Sequence, residues 1–140
     1  MKKLFFVHKA MTRILCKNLE LFIMNCIYKT NKYKMPLLTI CEITFLNTTF
    51  IVSFAFIEKK TIKYYDWVLY QLNRLYISLG LSRPRIIAID RDLALIKTIA
   101  TRFPTYLTIH SEETRHVLCL WHLHRNVAKS YKTFFAIDEK

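Results

Sequence analysis

Residues 84–95 read Pro-Arg-Ile-Ile-Ala-Ile-Asp-Arg-Asp-Leu-Ala-Leu. The run Ile86 to Ile89 is too short and too β-branched for a helix, and its unbroken apolar character marks a strand buried within a sheet. That strand delivers Asp90 at its carboxyl end. Asp92 carries the short acceptor side chain of a helix N-cap, which predicts a helix from there through Phe103, where Pro104 drives the preceding residue out of helical geometry. Working back, Tyr65, Val68, Leu69, Leu72, Leu75, Tyr76 and Leu79 keep one helical face. Gly80 stands where the C-terminal cap of that helix wants positive φ.

Further upstream the period shortens. Pro36 opens Leu37 to Leu46, followed by Thr49 to Ile57, and Asn47-Thr48 between them predicts an antiparallel hairpin. The tetrad Leu21-Phe22-Ile23-Met24 predicts a buried strand, and Met11, Ile14, Leu15 and Asn18, spaced i, i+3, i+4, i+7, predict a short helix before it. Downstream, His116 to Leu120 makes a fifth strand, and Val127, Ala128, Tyr131 and Phe135 mark a closing helix. The order predicts an α/β domain with a mixed five-stranded sheet, three antiparallel strands and then alternating helix and strand, flanked by helices. A ribonuclease H-like core has this order, although order alone assigns no chemistry.

Composition sets outer limits. The chain has 140 residues, 53% hydrophobic and 23% charged, with one Gly and three Pro, which excludes a disordered, collagen-like or linker-rich protein. A basic helical segment over 1–20, a core domain over 21–135 and a tail over 136–140 describe its organisation. Lys and Arg number 22 against 10 acids, a net charge of +12 that favours polyanionic partners. Residues 1–35 hold eight of those bases and one acid, Glu20, so the amino-terminal quarter is the positive end. The longest nearly apolar run, Phe50 to Ile57, falls far short of the roughly 20 residues of a membrane span, and His8 and Lys9 cut Leu4 to Val7 below a secretory signal. The expectation is an intracellular, unsecreted protein without a membrane partner. Cys16, Cys26, Cys41 and Cys119 form no C-x-x-C pair and are read as reduced.

Five separated stretches are Asn25 to Leu38 (N-C-I-Y-K-T-N-K-Y-K-M-P-L-L), Tyr65-Asp66-Trp67, Ile87 to Leu95 (I-A-I-D-R-D-L-A-L), Phe103-Pro104 and Cys119 to Asn126 (C-L-W-H-L-H-R-N). In this order, and nearly at these intervals, they resemble the transposase domain of Mutator-like elements, the MULE family, from about Leu4 to Phe135. The resemblance implies a ribonuclease H-like fold, a nuclear location, transposon DNA as partner, and strand cleavage and joining at an acidic Mg²⁺ site. Relatives of the family include domesticated transcription factors.

That chemistry asks several carboxylates to converge on one small volume, because two Mg²⁺ ions about 3.5–4 Å apart must grip the attacking and leaving oxygens. In the family the first acid lies on the first core strand, in a motif like D-x-T-Y-K-T-N, and the second ends the fourth, in a motif like T-D-R-D. Here Asp90 matches the second, but Asn25 stands at the first. An amide offers one neutral oxygen where a carboxylate is required. The following Thr of the family is Ile27, and a Gly on the second strand is Glu42. The third acid of the family lies well beyond the Cys-His motif, whereas this sequence ends at Lys140 with Glu139 too close to stand in. One matched acid of three predicts no cleavage or strand transfer, with Mg²⁺ not productively bound. If the covering helices of the fold fall past Lys140, exposed apolar surface favours self-association.

Bland readings stand beside these. Asp92 serves as a cap, and Trp67 belongs to the core. Cys119 and His122 form a C-x-x-H pair suited to zinc, with His124, His116 or His110 available to complete four ligands, while Cys119 suits a core position equally well. Lys29, Lys32 and Lys34 with Tyr28 and Tyr33 suit a DNA contact, the cations tracking phosphates and the rings packing on sugars or bases. The same residues also suit a solvated loop anchored by its tyrosines. The functional expectation is a degenerate MULE-type transposase domain with residual DNA association. The alternatives are a domesticated DNA-binding or protein-interaction module and a small zinc-stabilised domain.

Overall fold

The expected long helix is α2 (Ile62–Leu79), ended by Gly80 at φ 65, where the left-handed backbone costs a residue without Cβ little. The structure, a computed structural model, describes residues 2–16, 21–28, 30–44, 46–103 and 114–119. The remaining elements are β1 (Lys3–Phe6), α1 (Lys9–Leu15), β2 (Leu21–Ile27), β3 (Leu37–Ile43), β4 (Thr49–Ile57), β5 (Ile86–Ile89), α3 (Leu93–Arg102) and β6 (Arg115–Leu118). All six strands join one sheet in the order β1-β4-β3-β2-β5-β6. β1, β4, β3 and β2 pair antiparallel, whereas β2, β5 and β6 run parallel. This mixed sheet flanked by three helices is compatible with a ribonuclease H-like fold.

The sheet has one strand more than the sequence predicts. Lys3 to Phe6 lacks alternation and carries no turn signal, and only its pairing with Phe54 to Ile57 of β4 makes it a strand. Phe6 then stacks on Phe54 with ring centroids 5.0 Å apart, and Lys3 lies 4.6 Å above the Trp67 ring. β2 runs three residues past the expected tetrad, because its ladder with β3 continues to Ile27↔Leu37. β3 stops at Ile43 rather than Leu46. Thr44 already belongs to the turn, accepting from the Asn47 N–H (2.9 Å) and donating to the Thr48 carbonyl (2.8 Å), with Asn47 at φ 59. Pro104, Leu120 and the closing helix expected from Val127 onward lie outside the described residues.

The core follows from two periodicities meeting. Tyr65, Val68, Leu69, Leu72 and Tyr76 of α2 bury against Phe22 and Met24 of β2, Leu38 and Ile40 of β3 and Ile87 and Ile89 of β5. Leu95 and Ile99 of α3 and Leu15 of α1 close the same cluster. Each fully buried aliphatic or aromatic side chain contributes about 1.5–3 kcal/mol. A register shift after Ile40 leaves Val52 of β4 as the extra residue of a bulge, itself buried. Among the described residues no helix is long and apolar enough to cross a membrane. All four cysteines are described, and each is free of a disulfide.

Lys34 holds φ 54 in the loop before β3, a left-handed conformation that crowds its Cβ. Lys34→Gly is expected to raise stability by about 0.5–1 kcal/mol in urea unfolding, since relief of that crowding exceeds the added freedom of the unfolded chain. Asn47→Gly is the control and should change less, because Asn tolerates this region. A loss of stability on Lys34→Gly would count against the strain.

Candidate functional site

β2 is the strand at which the sheet changes sense, antiparallel to β3 on one side and parallel to β5 on the other. Open α/β sheets place ligands beyond the carboxyl ends of their parallel strands. The paired registers end at Met24↔Ile89 between β2 and β5 and at Ile89↔Leu118 between β5 and β6. One residue further along each chain come Asn25, Asp90 and Cys119, and the Cys119 N–H donates to the Ile89 carbonyl at 2.8 Å, carrying the ladder to that point. Met24 and Ile89 are buried under the helices, so alternation carries Asn25 and Asp90 to the opposite face of the sheet. Thr39, the register partner of Asn25 on β3, donates its hydroxyl to the Asn25 carbonyl at 3.1 Å. The fold thus aligns Asn25, two residues before the end of β2, in one row with Asp90 and Cys119, which directly follow β5 and β6.

Asp90 Oδ1 accepts the Arg91 N–H at 2.7 Å, and the Asp90 carbonyl accepts the Asp92 N–H at 2.7 Å, which sets the turn into α3. Asp92 is a cap, as its spacing predicts, with Oδ1 accepting from Ala94 (3.0 Å) and Leu95 (3.1 Å). It also does something its position in the sequence does not suggest. Its Oδ2 accepts from the hydroxyl of wholly buried Tyr65 at 2.8 Å and lies 3.9 Å from Lys60 Nζ. Lys60 in turn donates to the Cys26 carbonyl at 3.1 Å, so one polar cluster ties the start of α2, the end of β2 and the loop bearing Asp90. Burial, then the neighbouring Cys26 and Asp92, push the Tyr65 phenol far above its ordinary range, and burial pushes the Cys26 thiol up. Tyr65 therefore remains a hydrogen-bond donor at every relevant pH.

Asp66, next to Tyr65, forms a fork with Arg102, whose Nε and Nη2 donate at 2.5 and 2.8 Å. The pairing holds the Asp66 carboxyl below its usual range and joins α2 to α3. Glu42 belongs to the other face of the sheet. It is wholly buried, opposite Phe22 on the helix-covered side, and the Tyr76 phenol is pushed up by burial first and by Glu42 second. Its partner Phe22 lies three residues back along β2 from Asn25, so Glu42 does not join the row of Asn25 and Asp90.

The donors described at this row do not by themselves make up a two-metal centre. A neutral amide and one carboxylate share the row, and among the described residues no group of three His, Cys, Asp or Glu side chains converges. His116 belongs to the other face, where Nε2 lies 2.8 Å from the Phe103 carbonyl, so it is not brought to Cys119. His110, His122, His124 and Lys29 lie outside the described residues. Lys32 and Lys34 stand on the exposed β2–β3 loop, but its tyrosines are not anchors, since Tyr28 is 56% and Tyr33 70% exposed.

Sequence reasoning finds the Asp92 cap through its local spacing. It misses the cluster of Lys60, Tyr65 and Asp92, because Tyr65 looks like one more member of an apolar helix face and lies 27 residues from Asp92. No curated protein matches the chain. The family model of the MULE transposase domain matches residues 21–126, the span from the start of β2 to beyond β6. With well over half of the chain matched and a sheet of the expected order, the protein belongs to the MULE transposase domain family.

Proposed function

We propose that this chain is a transposase-derived domain that associates with DNA in the nucleus and neither cleaves nor joins it. The single observation that supports the loss of chemistry is Asn25 one step past the last β2–β5 pair, level with Asp90, an amide at the position matching the family's first acid. Divalent ions need charged oxygens there to offset the loss of their water shells, and one carboxylate already accepting an N–H supplies little. Asp90 is the remaining ancestral metal ligand, with Mg²⁺ not productively held. Purified protein incubated with supercoiled plasmid in Mg²⁺ or Mn²⁺ should leave it intact. Nicking that Asp90→Ala abolishes would overturn the proposal.

The charge of +12 and the exposed Lys32 and Lys34 support the DNA reading, to which Lys29 is also assigned. With about six phosphates contacted, log K should fall against log salt with a slope near −5. A slope near zero removes the DNA contact. Zinc, where bound, is assigned to Cys119 and His122, and native mass spectrometry of folded protein without bound metal would remove that assignment.

A further inference from the structure

The loop that leaves the carboxyl end of β2 carries two aromatic rings, each capped by a cation. Lys60 Nζ lies 4.3 Å from the Tyr28 ring centroid, and Lys32 Nζ lies 5.0 Å from that of Tyr33. Both rings are more than half exposed although the chain has ample core to bury them. Neither arrangement is left to chance. Lys60 comes from the β4–α2 connection and is held by the Cys26 carbonyl and Asp92. The Tyr33 turn is organised by Asn31, whose Oδ1 accepts from Tyr33 N (3.1 Å) and Met35 N (3.2 Å) and whose Nδ2 donates to the Met35 carbonyl (2.7 Å). Met35 and Pro36 are buried, so the turn from Asn31 to Pro36 is preformed and loses little ordering entropy on binding.

We propose that Tyr28 and Tyr33 form a stacking platform for unpaired bases of a single-stranded nucleic acid, with Lys60 and Lys32 meeting the adjoining phosphates. This rests on the DNA reading above and makes it specific. An exposed phenol ring offers a flat face that any base can cover, and a cation beside it suits the phosphodiester next to that base. A duplex keeps its base faces stacked inside and gives such rings nothing to cover. Tyr28 directly follows β2, three residues along the chain from Asn25.

Fluorescence anisotropy of the full chain with a labelled oligothymidylate of about 15 nucleotides, within the range of site sizes for single-strand binders, tests this against a duplex of equal length. The single strand should bind at least ten-fold more tightly. Tyr28→Ala and Tyr33→Ala should each weaken it by about ten-fold, the loss expected for one stacked base, while leaving duplex binding unchanged, and Tyr→Phe at either position should retain it. Both sites are exposed, and circular dichroism verifies that the variants fold. An oligouridylate bound more tightly assigns the platform to RNA, and the reverse to DNA, with stacking kept in both. Alanine variants that bind the single strand like the parent, or a duplex bound as tightly, overturn the platform while the DNA reading stands. Binding to neither nucleic acid overturns both.

Discussion

Asn25→Asp is expected to strengthen divalent-ion binding beside Asp90, and to lower stability when no ion is present. The introduced carboxylate would stand level with Asp90 across β2 and β5, and like charges on adjacent strands repel by up to about 1 kcal/mol. In chelator the variant should therefore melt a few degrees lower than the parent, at about 3 °C per kcal/mol for a chain of this size. Manganese should then restore it. At about 10 mM ion against a dissociation constant of about 1 mM the linkage is worth about 1.4 kcal/mol, more than the repulsion introduced. The parent should show no such response beyond that given by sodium at matched ionic strength. DNA should stay intact in both, because two acids do not complete a two-metal centre. A variant that melts like the parent in chelator and ignores manganese would mean that the two side chains do not face one another.

The second large effect is on stability alone. Asp92→Ala is expected to cost about 2–4 kcal/mol, the sum of a lost N-cap and an orphaned buried hydroxyl on Tyr65. Asp92→Asn keeps an acceptor for both and should cost about half as much or less. Tyr65→Phe removes the hydroxyl without opening a cavity and should cost about 1 kcal/mol. The informative quantity is their coupling. In the double variant Asp92→Ala with Tyr65→Phe, no hydroxyl is left unpaired, so the loss should fall short of the sum by about 1 kcal/mol or more. Guanidinium unfolding of the parent, the two single variants and the double variant measures it, and strict additivity would show that the Tyr65 hydroxyl finds water once Asp92 is gone.

This cluster accounts for part of the family motif that propensity leaves unexplained. In Tyr65-Asp66-Trp67 the first residue anchors Asp92, the second grips Arg102 across the helix pair, and the third receives Lys3 of β1 on its ring. The first two contacts fix the frame around the β5–α3 turn that presents Asp90, and the third ties the sheet edge to the same helix. Because this frame also stabilises the fold, it does not depend on what stands at Asn25.

The hydrophobic periods carried most of the architecture. Strands β2 to β6 and helices α1 to α3 could be read from apolar spacing, Asp92 and Gly80 from capping chemistry, and Asp90 from its place after a short β-branched run, because each signal is confined to a few consecutive residues. Asn25 could be picked out from the local stretch Asn25 to Leu38 that carries the family resemblance. Tertiary structure alone decided that residues 3–6 join the sheet, since an edge strand is defined by its partner and not by its own pattern. It alone decided that Glu42 faces the core, that Tyr65 and Lys60 meet Asp92, and that Tyr28 and Tyr33 stand in solvent. Those outcomes depend on which face a residue takes and which distant segment arrives opposite it, and strand pairing sets both only when the whole sheet is assembled.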